Sequence, residues 1–261
     1  MTETLVRRDV DAGVLTLTLD SPKNRNALST TLVAQLNSGL IEAAENPDVR
    51  AVVLTHAGGT FCAGADLSAA LASGATPEEA SAQGGAMVEL MRSILELPKP
   101  VIARIDGHVR AGGFGLVSAA DIAIGGAACT FALTESRLGL APAIISLTVL
   151  PRLSSRSASR YFLTGEKFGP EQAVEMGLLT AAADSGEGID TVMSEVLDGI
   201  RKASPQGLAA SKALTTESIL AAFTAKAALR ADESAALFGT DEAREGMTAF
   251  LSRRKPAWDL T

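Results

Sequence analysis

The stretch KPVIARIDGHVRAGGFGLVSAADIAIGG, residues 99–126, decides the fold of this chain. Its β-branched and aliphatic runs at 101–105 and 122–124 predict two buried strands. Between them the residues of 111–115 are almost all small, although a glycine inside an element costs roughly 0.5–1 kcal/mol relative to alanine. The order strand, small-residue turn, helix and strand predicts an α/β fold in which something comes close to the backbone at this turn.

Backbone N–H groups at this turn are the first candidates for function. Small side chains leave them unshielded, and the first N–H groups of a helix have no partner within the helix. They can donate hydrogen bonds to an anion or to a polarised carbonyl. A second small-residue turn, TFCAGADL at 60–67, follows the strand predicted at 51–55. The two turns could each give one N–H to the same oxygen; the alternative for the glycines alone is a tight turn or close helix packing.

Two other kinds of enzyme site lack the motifs that they need. AGGFGL does not have the GxGxxG spacing of a dinucleotide-binding turn, and no acidic ribose partner follows at the expected distance. The chain has two histidines and no GxSxG, which argues against a serine hydrolase. Its two cysteines, Cys62 and Cys129, form no CxxC pair, so we expect no metal site and a reducing, cytoplasmic compartment. We interpret Cys62 as a small residue that packs beneath its turn.

The composition is that of a globular protein, with 47% hydrophobic and 20% charged residues among 261. The net charge of −7 argues against nucleic-acid binding, since phosphate contacts need Lys and Arg. The longest uncharged central run, 138–151, contains two prolines and is shorter than the about 20 apolar residues that a membrane-spanning helix needs. The charged residues within 3–11 argue against a signal region. We therefore expect neither nucleic acid nor a membrane as a partner.

The rest of the chain predicts strands alternating with helices, and then helices alone. From about residue 194 the strand patterns cease. The predicted elements are a strand at Val14–Leu19, a helix from the N-cap Ser29 to about Asn46, a helix through Met87–Ile94, a short helix from Pro170 to Met176, and three helices from Ser204, from about Thr216 and from Thr240.

Several motifs, taken together and in order, resemble the enoyl-CoA hydratase/isomerase (crotonase) superfamily. They are SPKNRNALS at 21–29, FCAGADLSAA at 61–70, the stretch 99–126, FALTESRLGLAP at 131–142, YFLTGEKFGPEQAVEMGLLT at 161–180, SPQGLAASKALT at 204–215 and DEAREGMTAFLSRRKP at 241–256. The resemblance implies a spiral of ββα units as an acyl-CoA-binding core, residues 1–195, followed by a helical trimerisation region, residues 196–261. It also implies a homotrimer or a hexamer built as a dimer of trimers.

The resemblance also implies which groups do the chemistry. The backbone N–H groups of Ala65 and Gly112 are expected to form an oxyanion hole for the thioester oxygen, and Glu135 is expected to be the acid/base. Many hydratases of the family have a second glutamate, and Gly115 stands at that position here, so the chain is identified as a one-glutamate member. The alternative for Glu135 is an ordinary surface glutamate in a loop.

The residues expected at the ligand follow from the same resemblance. Coenzyme A, as part of the substrate and with no separate cofactor, is expected along Lys23, Arg25, Ala27, Ala63, Asp66 and Leu67. Lys23 and Arg25 are the natural phosphate partners. Arg110 could orient Glu135, bind a carboxylate on the acyl tail, or form an ion pair at a subunit contact. Phe250, with the cations of 253–255, is expected at a neighbouring subunit's ligand, or else this end is a solvated helix terminus.

The resemblance implies a lyase that hydrates a 2-enoyl-CoA in fatty-acid or branched-chain acyl-CoA metabolism. A 3,2-enoyl-CoA double-bond isomerase is the first alternative, because one carboxylate suffices to move a proton between two carbons. A non-catalytic acyl-CoA-binding relative is the second. The walls of the acyl pocket are expected from Ser68–Gly85 and Ile144–Ser146, whose apolar character suits an apolar acyl tail.

Overall fold

A computed structural model of the chain describes residues 3–67 and 77–261, without the side chains of 77–81, and contains two sheets. The larger has six strands in the order β1-β2-β3-β5-β7-β9, parallel except for the first pair, and the smaller has three parallel strands in the order β4-β6-β8. The strands are β1 Val6–Asp11, β2 Val14–Leu19, β3 Ala51–His56, β4 Thr60–Cys62, β5 Val101–Ile105, β6 His108–Arg110, β7 Ile122–Gly125, β8 Thr130–Ala132 and β9 Ala181–Ala182.

Helices connect the parallel strands and cover them, as a parallel sheet requires. They are α1 Thr30–Glu45, α2 Pro77–Glu96, α3 Gly112–Ala119, α4 Ser146–Val149, α5 Ser155–Thr164, α6 Pro170–Glu175, α7 Gly186–Lys202, α8 Pro205–Phe238 and α9 Asp241–Leu251, with 3₁₀ helices at Pro22–Asn24 and Glu135–Leu138. The predicted N-cap Ser29 is confirmed, since its side chain accepts a hydrogen bond from the N–H of Leu32 at 3.2 Å. Across the described residues, no helix is long and apolar enough to span a bilayer.

The central strands of the six-stranded sheet are buried on both faces, and alternate residues of β2, β3, β5 and β7 enter different cores. Leu15 and Leu17 of β2 point toward α1 and belong to the main core. Val14 of the same strand joins a second core, which Ile189 and Met193 of α7 close from the other face. This explains why the central strands are apolar almost throughout and confirms the predicted α/β class.

The C-terminal region differs from the prediction in one element. The helix start expected near Thr216 is wrong, because α8 runs unbroken from Pro205 to Phe238. No glycine or proline interrupts 208–238, and the Thr216 hydroxyl donates to the carbonyl of Lys212 at 3.0 Å, inside the helix. The boundary expected between residues 195 and 196 falls within α7, and the break between helices comes at 203–204.

Candidate active site

The small sheet brings three loops to one edge. Its strands are parallel, and the pairing of β4 with β6 shifts in register between Thr60 and Cys62. Cys62 of β4 pairs with Val109 of β6, which pairs with Phe131 of β8. Neighbouring strands lie about 4.8 Å apart, and parallel strands end at the same edge, where α/β proteins generally bind ligands. The segments that follow the three strands contain Ala65, Gly112 and Glu135, respectively. The topology therefore gathers the three residues expected to be catalytic.

The first two loops are in direct contact. A Cβ on Gly64 would lie 2.4 Å from the Cβ of Ala111 and 3.3 Å from the backbone nitrogen of Gly112. A Cβ on Gly112 would lie 2.6 Å from Cδ1 of Leu28, and one on Gly113 would lie 2.9 Å from Cβ of Cys62. Close packing therefore accounts for these glycines, as the alternative interpretation had it, and it also holds the two small-residue turns together.

The N–H groups of the two turns are directed by their local structure. Leu28 forms a parallel bridge with Ala65, in which the Leu28 N–H donates to the carbonyl of Gly64 at 2.8 Å. Because a bridge of this type uses the groups that flank Ala65, the N–H of Ala65 points away from Leu28. Gly112 is the first residue of α3, where the N–H groups have no partner within the helix.

Ala111 holds an unusual backbone conformation between the two turns. Its φ of 45° and ψ of −120° at the N-cap of α3 lie in a region of backbone conformation that residues other than glycine rarely adopt. Such a residue costs about 1–3 kcal/mol and persists where its surroundings impose it. Ala111 alone connects β6 to α3, so its conformation lies directly before the Gly112 N–H.

Glu135 is a buried carboxyl group. It is the first residue of the 3₁₀ helix after β8, its exposed fraction is 8%, and its Oε2 has no hydrogen-bond partner in the described part of the chain. Loss of hydration raises the pKa of Glu135 to about 7. A carboxyl group with such a pKa can take up and return a proton near neutral pH.

The position of the missing second glutamate is filled by apolar atoms. A Cβ on Gly115, in α3, would lie 2.8 Å from Sδ of Met91, 2.9 Å from Cγ2 of Ile145 and 2.9 Å from Cε of Met87. All three side chains are buried. The sequence indicated the loss of the carboxylate but not the two methionines that occupy its space, because they come from α2, far away in the chain.

Arg110 directly precedes the Ala111–Gly112 turn, but its guanidinium forms hydrogen bonds to the strands β6 and β8. Its guanidinium donates to the carbonyl of Thr130 at 2.6 Å, to the hydroxyl of Thr130 at 2.9 Å and to the carbonyl of Val109 at 2.7 Å. Burial lowers the pKa of Arg110. None of the hydrogen bonds recorded for it within the described ranges reaches Glu135; they tie β6 to β8 instead.

Most of the residues expected at the ligand lie in the loop 21–28 and in the turn after β4. Lys23 lies in the first 3₁₀ helix, and Arg25 follows with a φ of 58°. Ala27 is buried, and the N–H of Ala63 donates to the carbonyl of Arg25 at 3.1 Å. Asp66 and Leu67 continue the turn after β4. The loop 21–28 therefore lies directly against this turn.

Asn26 is a residue that the motif analysis missed. It is fully buried with a φ of 54°, its Oδ1 accepts from the N–H of Ser21 at 2.7 Å, and its Nδ2 donates to the carbonyls of Thr60 at 2.7 Å and Ala57 at 3.1 Å. It fixes the loop beside β4. An asparagine tolerates this left-handed conformation, so the NRN sequence was the available signal.

The structure tests the expected pocket wall and the expected position of Phe250 only in part. Residues 68–76 of the expected pocket wall lie outside the described residues. Phe250 lies in α9 and is 56% exposed, and α9 packs against the 3₁₀ helix of Glu135 in its own chain. Among the side chains that the structure describes, no three His, Cys, Asp or Glu cluster in a way that could hold a metal ion.

Comparison with known proteins identifies the family. Residues 9–260 match the family model described as Enoyl-CoA hydratase/isomerase. A crystal structure of an enoyl-CoA hydratase from Mycobacterium avium is 54% identical, with a TM-score of 0.91 over 99% of this chain and 100% of that one. The enoyl-CoA hydratase ACTT6 of Alternaria alternata is 34% identical over 78% of this chain and 67% of its own length. The 1,2-epoxyphenylacetyl-CoA isomerase of Escherichia coli (strain K12) is 30% identical over 95% of each chain. This chain is an enzyme of the hydratase/isomerase class, and it belongs to the enoyl-CoA hydratase/isomerase (crotonase) family.

Proposed function

We propose that the enzyme moves a proton along the acyl chain of an unsaturated acyl-CoA thioester, with Glu135 as its single acid/base. The observation that carries the proposal is the buried carboxyl group, whose Oε2 has no partner among the described residues, at the sheet edge where the two turns meet. The N–H groups of Ala65 and Gly112 hold the thioester oxygen. Coenzyme A enters as part of the substrate, and the mechanism uses no separate cofactor.

The proton transfer needs only these groups. The Glu135 carboxylate takes a proton from the carbon next to the thioester, and the electron pair of that C–H bond moves toward the thioester oxygen as an enolate. Two preorganised N–H donors stabilise this charge, and removing one such donor typically costs about 10²–10³ in rate. Protonated Glu135 then returns the proton to the carbon two bonds further along, and the double bond shifts by one position.

The surroundings of Gly115 favour this double-bond shift over hydration. Addition of water needs a second group to hold and deprotonate the water. The space at Gly115 is instead filled by Met87, Met91 and Ile145. Hydration of a 2-enoyl-CoA is the second candidate, because the 54% identical crystal structure is that of an enoyl-CoA hydratase. In that reaction bound solvent would have to take the role of the missing carboxylate.

The test is isotope exchange at the carbon next to the thioester in deuterated water, with 3-enoyl-CoA and 2-enoyl-CoA thioesters. The parent enzyme should exchange and isomerise, with a rate that rises as pH passes through about 7 and Glu135 ionises. Glu135→Gln should lose about 10²–10⁴-fold in exchange. Glu175→Gln, an exposed glutamate on α6, is the matched control and should exchange like the parent. Tight thioester binding without exchange in the parent would instead identify an acyl-CoA-binding protein.

Assembly and location complete the proposal. The enzyme forms a homotrimer or a dimer of trimers through residues 196–261, with Phe250 and the cations of 253–255 directed toward a neighbour's coenzyme A. The exposure of Phe250 supports this arrangement. Both cysteines of the chain, Cys62 and Cys129, are free and buried, which supports a cytoplasmic location.

A further inference from the structure

The last helix of the chain touches the backbone of the Glu135 turn. A Cβ on Gly246 of α9 would lie 2.4 Å from the carbonyl oxygen of Leu138 and 2.7 Å from its Cα. A Cβ on Gly139 would lie 2.7 Å from the carbonyl carbon of Glu242. In both places the neighbour is backbone, which cannot rotate away as a side chain can. Glycine on each side therefore lets α9 and the turn approach to direct main-chain contact.

One apolar cluster extends this contact to the second loop of the site. Ala243 and Met247 of α9 are buried with Leu140, and Leu138 and Leu67 pack against them. Leu67 follows Ala65 by two residues, whereas Leu138 and Leu140 follow Glu135. The cluster that contains Met247 therefore joins α9 both to the turn that contains the Ala65 N–H and to the turn that contains the carboxyl group.

The Glu135 backbone is coupled to the residues that α9 touches. The N–H of Leu140 donates to the carbonyl of Glu135 at 2.9 Å, and the N–H of Gly139 donates to the same oxygen. Because these bonds close the turn, a displacement of 138–140 also displaces Glu135. A misplacement of about 1 Å can cost about 10²-fold in rate.

We propose that α9 is a positioning element of the active site, in which Gly246 and Met247 set the place of Glu135 relative to the Ala65 turn. The inference rests on the role proposed above for Glu135. It adds that the C-terminal helix acts on the reaction within its own chain, through contacts to the two turns and without touching the reacting atoms. A helix that only stabilised the fold would have no such effect.

The test compares two buried methionines of similar exposure. Met247→Ala removes packing in the cluster that joins α9 to the two turns, whereas Met193→Ala removes packing in the core on the far face of the large sheet. Both should lose stability. Met247→Ala should also lose about tenfold or more in exchange rate while its KM for the thioester changes less than about twofold. Its rate should begin to rise at a lower pH than that of the parent, because water then reaches Glu135. Met193→Ala should keep the exchange rate and the pH profile of the parent.

Gly246→Ala is the second variant, with Gly199→Ala as its control. A Cβ at residue 199 would meet no described atom within 4 Å, so this control should behave like the parent. Equal loss of exchange in Met247→Ala and Met193→Ala, or no loss in either, would overturn the positioning role.

The two proposals fail differently. No exchange in the parent, or exchange that persists in Glu135→Gln, rejects the role of Glu135. If Glu135→Gln loses exchange but Met247→Ala keeps the exchange rate and pH profile of the parent, only the positioning role is rejected.

Discussion

At the scale of the residue, burial makes Glu135 chemically useful and also gives it a cost in stability. The raised pKa means that the folded protein holds the Glu135 proton up to about pH 7, whereas the unfolded chain releases it near the ordinary glutamate pKa of 4.5. Below pH 4.5 the carboxyl group is neutral in both states, so burial carries no charge penalty. The penalty grows between these two pKa values and is complete above pH 7.

Glu135→Gln should therefore stabilise the protein in a pH-dependent way. The amide has a similar shape and cannot ionise, so the variant avoids the penalty, which amounts to about 3 kcal/mol above pH 7. Urea unfolding at pH 8.5 should show a higher free energy of unfolding than in the parent, and the difference should shrink toward pH 5. Glu175→Gln, whose parent side chain is exposed, should show no such trend. An equal difference at both pH values would contradict the assigned burial.

The sequence could identify Glu135 but not its environment. The FALTESRLGLAP motif pointed to this residue through resemblance. The 3₁₀ helix that it begins packs against α9, far along the chain, so periodicity near residue 135 could not reveal its burial. The same holds for Gly115, whose contacts Met87 and Met91 come from another helix. Local sequence names a side chain, whereas its pKa and its contacts are tertiary properties.

At the scale of the element, the start of α3 contains a backbone strain that a substitution can relieve without changing the fold. Ala111→Gly should stabilise the protein by about 1 kcal/mol, because glycine adopts a φ of 45° without the Cβ penalty. The same change at Ala221, an exposed residue inside α8, should destabilise it by about 1 kcal/mol. Chemical denaturation of both variants checks the opposite signs. A loss of stability in both would mean that the methyl group of Ala111 contributes more by packing than it costs in strain.

Elements were predictable where their signals are local. The N-caps Ser29 and Ser204 lie where expected, because a hydroxyl one residue before an apolar helical pattern acts on the adjacent turn. The three-residue strands β4, β6 and β8 gave no such signal, since each is defined only by pairing with the others. Yet this small sheet gathers the site. The turns were predictable from small residues, and their common edge came from tertiary pairing.

At the scale of the whole molecule, the long C-terminal helix α8 belongs to the same core as the sheet. Ile219 and Phe223 of α8 are buried in the main core, and α8 packs along α2. The sequence showed where strands give way to helices, which suggested two regions that divide at 195/196. It could not show that they share one core, because which face of the alanine-rich α8 is buried depends on its partner helix.

Lys212 of α8 provides the test of this single core. Its Nζ lies 2.8 Å from Oδ2 of Asp121 and donates to the carbonyl of Ile94 at 2.7 Å, and its side chain is almost fully buried. Lys212→Met should lower the free energy of unfolding by about 3–5 kcal/mol, because it leaves the Asp121 carboxylate, which is only 14% exposed, without this partner. The loss should appear as one shifted urea transition, since the helix and the sheet unfold together.

Two further variants distinguish this tie from a general effect of removing a lysine. Lys226→Met changes an exposed residue of the same helix and should leave the free energy of unfolding within about 0.5 kcal/mol of that of the parent. The double variant Lys212→Met with Asp121→Asn should recover part of the loss, because no unpaired charge then stays buried and the amide oxygen can still accept from the N–H of Val101. A Lys212→Met protein that unfolds in two steps, with the helices melting before the sheet, would show that residues 196–261 form a separate unit after all.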